Sequence, residues 1–213
     1  YAFGDESAGT FTTRPQDIRA YFGAAEASVD FDWIRVRASG LYASGDDDPY
    51  DSTSRGFDAI FENPIIAGAD TSYFIRQGVP NIGGGGITLS TRNGVLNNLR
   101  PSKEHGQSNF TNPGVGLIGI GADLDILPEL RVSTNINQIW FADTTTVEVA
   151  RNQGPIDANI GLDISGAIIY RPFFQQNVVV RLSGAMLLPG KGFKQLYGDE
   201  TAYSVLGNIV LTY

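Results

Sequence analysis

Apolar and polar residues alternate with a period of two over much of this chain, and the two sides of the alternation differ in kind. In 34–42, Ile34, Val36, Ala38, Gly40 and Tyr42 fall on one side, and Arg35, Arg37 and Ser39 on the other. In 160–170, Ile160, Leu162, Ile164, Ile168 and Tyr170 oppose Asp163 and Ser165. Successive side chains of a strand point to opposite faces, whereas a helix needs a longer spacing, so both segments read as two-faced strands. Seven such segments are found, at about 17–28, 33–44, 113–124, 130–142, 158–170, 177–188 and 202–213. Their length suits strands that cross a bilayer at a tilt. The last carries Tyr203, Val205, Gly207, Ile209, Leu211 and Tyr213 on one face. In a soluble domain such a greasy strand is an edge hazard, whereas in a membrane barrel it is a wall.

The connections alternate in length. The links at 29–32, 125–129 and 171–176 are short, and those at 45–112, 143–157 and 189–201 are long. Short turns at one end and long loops at the other is the asymmetry of outer-membrane barrels, with the turns periplasmic. The pattern predicts an all-β fold, an antiparallel transmembrane β-barrel over residues 1–213, with about seven membrane strands and an N-terminal stub near 1–3. Seven strands is an odd count, so the expectation is the C-terminal part of a larger barrel. Within 45–112, residues 56–63 are expected to form a short helix with Phe57, Ile60 and Phe61 on one side, and Gly83–Gly86 to precede a hairpin strand or a hinge. A loop of that length is expected to fold over or into the barrel mouth.

Composition narrows the class. The 213 residues carry a net charge of −8, 18% charged residues, 26 glycines and no cysteine. No stretch reaches the roughly 20 apolar residues of a membrane helix. Without cysteine there is neither a disulfide framework nor a thiolate metal site, and His105 is the single imidazole. The acidic balance argues against nucleic acid as a partner. The Gly83–Gly86 run lacks the following Lys-Ser/Thr of a phosphate loop. His105, with Ser102 and Ser108 nearby, reads as a surface histidine, because nothing in that loop holds a base against a nucleophile. No enzymatic activity and no cofactor are expected.

The charged residues of the strands fall on the polar side: Glu26, Arg35, Arg37, Asp123, Arg131, Asp163 and Arg181. Two readings stay open. The four arginines form a basic band that favours anionic solutes through paired donors, or they pair with Asp163, Asp123 and Glu26 as a structural ladder. Tyr42, Trp140, Phe141, Tyr170, Phe173 and Phe174 lie at strand ends and, with Tyr213, read as interfacial aromatic girdles. Asp46, Asp47, Asp48 and Asp51 are weak candidates for a calcium site, because the full spacing of a calcium-binding loop is absent.

The run Leu41-Tyr-Ala-Ser-Gly-Asp-Asp-Asp-Pro49, followed by Gly56-Phe-Asp-Ala-Ile-Phe61, resembles the alginate-export family of outer-membrane barrels. The resemblance implies a larger barrel of which this chain matches the C-terminal half, and an anionic polysaccharide as solute. The glycine that usually stands five residues before the final aromatic is Asn208 here, with Gly207 one position earlier. The function expected is an outer-membrane channel of a Gram-negative bacterium, of porin or anionic-solute export type, with lipid bilayer and lipopolysaccharide around it. The alternatives are a non-conducting barrel that serves as adhesin or as sleeve for a protein partner in the lumen or at the periplasmic face, and a soluble carbohydrate-binding β-sandwich.

Overall fold

A computed structural model describes residues 1–6, 12–57, 66–68, 71–73, 113–172 and 177–211. Seven strands form one antiparallel sheet: β3 (Phe22–Phe31), β4 (Ile34–Ala43), β6 (Val115–Leu127), β7 (Leu130–Trp140), β8 (Asn159–Tyr170), β9 (Val178–Pro189) and β10 (Ala202–Leu211). Their order across the sheet is β10-β9-β8-β7-β6-β4-β3, so each strand pairs with its neighbours in sequence. A second sheet joins β1 (Ala2–Glu6), β2 (Gln16–Ala20) and the two-residue β5 (Thr53–Ser54). The predicted segment 17–28 therefore breaks at Tyr21, where β2 ends and β3 begins. The stub expected near 1–3 pairs with β2, Ala2 opposite Ala20.

The fold is mostly antiparallel β, as the alternation predicts. A closed barrel is not found among the described residues: β3 and β10 are the free edges of an open sheet. They run in the same direction, so they cannot close on each other by antiparallel pairing.

The turns are tighter than the sequence suggests. β3 continues to Phe31, which pairs with Ile34, leaving Asp32 and Trp33 as the turn; Asp32 takes the left-handed φ of 54°. On the next hairpin Leu127 pairs with Leu130, after a register shift between Asp125 and Leu127. Two of the long links carry helices, α1 (Thr145–Arg151) and α2 (Lys191–Tyr197). Among the described residues no helix is long and apolar enough to cross a membrane.

The register shows what each face carries. Asp30, Arg35, Asp123, Ser133 and Ala167 lie opposite one another in sequence from β3 to β8, and pairing of this kind puts directly opposed side chains on one face. Every charged residue of the seven strands falls on that face: Glu26 and Asp30, Arg35 and Arg37, Asp123 and Asp125, Arg131, Asp163 and Arg181. The other face is apolar, and it is the exposed one. Ile118 is 63% exposed, Ile120 62%, Val205 70% and Ile209 69%, while Asn137 and Asp163 on the polar face are at 0%.

Two residues sit on the opposite side from that predicted. Ile160, placed with the apolar face by simple alternation, is fully buried in the polar side's apolar cluster. The β7–β8 register shifts there, Ile139 facing Gly161 and Trp140 facing Asn159, so the extra residue turns inward as a bulge. Phe141, expected in an aromatic girdle, is buried in the same cluster. It follows the outward Trp140 by one position, and its N–H bonds Ala158 O at 2.8 Å.

Candidate functional site

The polar face changes character from the loop end to the turn end. Nearest the loops it is apolar: Leu41, Leu117, Ile139, Ile160 and Leu187 pack with Phe193 of α2, and Leu196 and Tyr197 lean on them. This is the only large apolar cluster among the described residues, and it closes over the loop end of the sheet.

The middle of the face is neutral and polar, and a short piece of the long loop lies against it. Asn137 Nδ2 donates to Ala67 O at 2.9 Å, and Ala67 N donates to Glu26 Oε2 at 3.1 Å. Ser39 Oγ donates to the same Glu26 oxygen at 2.7 Å. Ser72 Oγ donates to Asp163 Oδ2 at 2.8 Å, and Thr71 and Ser165 share a 3.3 Å hydrogen bond. Two absences of side chain make this possible. At Gly119 and Gly121 a Cβ would collide with Asn137 and Asn135, so these glycines let the amides lie flat over β6. Gly68 has φ +66°, and a Cβ there would strike the Asn135 amide; both reasons call for glycine. Residues 66–68 and 71–73 thus supply partners to Asn137, Glu26, Asp163 and Ser165 in the buried middle of this face.

The turn end is ionic. Arg35 grips Asp30 with Nε at 2.5 Å and Nη2 at 3.1 Å. Arg131 grips Asp125 in the same paired way, at 2.6 and 2.9 Å. Arg37 lies 3.2 Å from Asp123 Oδ1 and donates to Asn135 Oδ1 at 3.1 Å, with both charged side chains 15% exposed. Ser133 Oγ holds Asp123 at 2.6 Å.

All seven charged residues picked from the sequence stand on this one face, but two of these three ion pairs differ from the predicted ladder. Of Asp163, Asp123 and Glu26, only Asp123 takes an arginine in these contacts. Asp30 and Asp125, missed in the sequence, take Arg35 and Arg131. Their proximity in sequence, Asp30 with Arg35 across one turn and Asp125 with Arg131 across the next, was the available signal. Three of the four guanidinium groups are thereby engaged by carboxylates of the same face, and a basic band open to an anion does not form from them.

Phe141 apart, the aromatic candidates fall on the apolar face where described. Tyr42 stacks on Tyr21 with ring centroids 5.7 Å apart, and Trp140 lies over Gly116, both at the loop end. Tyr170 is 44% exposed at the turn end. The ten steps of β7, at about 3.3 Å each and a tilt of roughly 40°, give a height near 25 Å between the two rows. Phe173, Phe174 and Tyr213 lie outside the described residues, as do residues 58–63 of the expected helix, the Gly83–Gly86 run, His105, Ser102 and Ser108.

The acidic cluster at 46–51 has a different organiser from the one proposed. Arg55 Nη1 lies 3.8 Å from Asp46, 3.2 Å from Asp47 and 2.9 Å from Asp51. A guanidinium occupies the centre where calcium was considered, and Asp48 instead accepts from Tyr50 N at 3.1 Å. No group of three or more His, Cys, Asp or Glu among the described residues is disposed to hold a metal ion. Burial pushes the Asp46 carboxyl up to about 6, with Asp51 and Asp47 adding to the rise and the Asp48 amide and Arg55 opposing it. Searches of family models and of curated proteins found no match to this chain.

Proposed function

We propose that this chain is the wall of an outer-membrane β-barrel channel of a Gram-negative bacterium, with its apolar face toward lipid and its polar face toward the passage. One observation carries the reading: all charges of the seven strands lie on one face, and the opposite, exposed face carries no charge and is apolar but for Thr134, Gln138, Asn159 and glycines. Exposed apolar surface of this extent is an interaction surface, and tyrosines and tryptophans at both ends of the strands suit a bilayer as the partner. A soluble sandwich would instead turn the apolar face inward against a second sheet. The function is passive passage, with no covalent chemistry.

A specific observation favours a second reading. The loop-end apolar cluster and residues 66–68 and 71–73 lie against the loop end and the middle of the polar side, as they would in a non-conducting barrel that anchors a partner. Trp33 and Trp140 are the two tryptophans of the chain, one at each end of the strands. In vesicles of brominated lipids, bromines near the headgroups are expected to quench both more than bromines at the acyl ends. No quenching from any depth removes the membrane reading. Conductance steps in planar bilayers then separate channel from sleeve.

A further inference from the structure

The charge of this molecule is not spread evenly, and its distribution says which solutes the passage takes. On the polar face of the seven strands four arginines meet five carboxylates. Three arginines are engaged within that face, at Asp30, Asp123 and Asp125. The loop end is far more acidic. In residues 44–57, 141–158 and 190–201, nine carboxylates stand against four cations. The residues outside the described set carry as many cations as carboxylates, so they do not offset this excess. The mouth acids reach water: the Asp47 side chain is 63% exposed and that of Asp199 is 77% exposed.

We infer that passage along this face is cation-selective, with the loop-end carboxylates setting the preference. The inference rests on the channel reading above and assigns it a substrate class: small cations and cationic solutes rather than anions. The physics is local enrichment. A rim of excess carboxylate lowers the potential over the mouth, concentrates cations there and depletes anions. Arg35 and Arg131 in bidentate pairs, and Arg37 beside Asp123, leave little positive field to reverse this along the wall. Because the rim charges are exposed, the effect must weaken as salt screens them over about 10 Å at 0.1 M and about 3 Å at 1 M.

The test is the zero-current potential of the chain in planar bilayers under a potassium chloride gradient. Potassium is expected to permeate roughly threefold or more above chloride near 0.1 M salt, falling toward parity near 1 M. Neutralising three exposed rim acids together, Asp47→Asn, Asp48→Asn and Glu200→Gln, is expected to move the ratio toward parity. Chloride preference in the wild-type protein overturns the inference and leaves the channel standing. A cation preference that neither salt nor the triple variant reduces overturns the role of the rim. No current from inserted protein overturns both the channel and the inference, in favour of the sleeve.

Discussion

Replacing Ile120 by lysine separates a lipid-facing sheet from a water-facing one by the size of a single free energy. Ile120 is 62% exposed near the middle of β6, opposite Ala38 on β4 and Ile136 on β7, all on the apolar face. Ile126, 48% exposed, lies six residues further along the same strand toward the turn. Six steps of about 3.3 Å at a tilt of roughly 40° separate them by about 15 Å in depth, half of a hydrocarbon core of about 30 Å. Ile120→Lys therefore places an ammonium near the midplane and is expected to cost about 2–4 kcal/mol, while Ile126→Lys near the interface costs about 0–1. In water both are substitutions of exposed residues and would stay within about 0.5 kcal/mol. Reversible guanidinium unfolding in phosphatidylcholine vesicles, followed by the emission of Trp33 and Trp140, measures both. Equal and small costs at the two positions refute the lipid-facing assignment.

Three further outcomes follow from the other side of the sheet and its rim. Arg37→Ala strips the counter-charge from a pair that is only 15% exposed and is expected to cost about 3 kcal/mol, whereas Arg35→Ala, in a pair more than half exposed, is expected to leave stability nearly unchanged in the same unfolding assay. Gly68→Ala forces a side chain onto Asn135 at φ +66° and is expected to release residues 66–73, seen as loss of hydrogen-exchange protection at the Ala67 amide. Asp46 holds its proton to about pH 6 when folded and only to its ordinary 3.8 when unfolded, so its burial destabilises the fold increasingly as pH rises from about 4 to 6. Asp46→Asn is then expected to match the wild type at pH 4 and exceed it by about 1–3 kcal/mol at pH 7, the upper figure being the whole shift without screening. A variant equally or less stable at pH 7 contradicts that burial cost.

What the sequence made legible was whatever depends on parity alone. The face of Glu26, Arg35, Arg37, Asp123, Arg131, Asp163 and Arg181 follows from counting by two, and so does the outward direction of Tyr42, Trp140 and Tyr170. What it hid depends on register or on sequence without period. Asp30 meets Arg35 only because the turn shrinks to Asp32 and Trp33; a turn at 29–32 takes Asp30 out of the strand. Ile160 turns inward because one bulge adds a residue to β8. Residues 66–73 carry no periodicity, so nothing in their composition announces that Ala67, Thr71 and Ser72 seat on the polar face. Arg55 was passed over because an acidic run suggests a metal before it suggests a guanidinium four residues on.

The two faces also constrain one another. Residues 66–68 and 71–73 exchange hydrogen bonds with several of the mid-sheet polar groups, and the Arg35–Asp30 pair at the turn end is open to solvent, at 51% and 62%. That face therefore needs no second sheet. The apolar face does need a cover, since at about 25 cal/mol per Å² each exposed isoleucine or leucine forgoes on the order of 2 kcal/mol of burial, repeated over five of the strands. Water on one side and hydrocarbon on the other satisfies both demands at once. A soluble partner would have to cover an apolar surface that runs across seven strands between aromatic residues at both ends, which is why the proposed lipid contact asks for the least from the rest of the molecule.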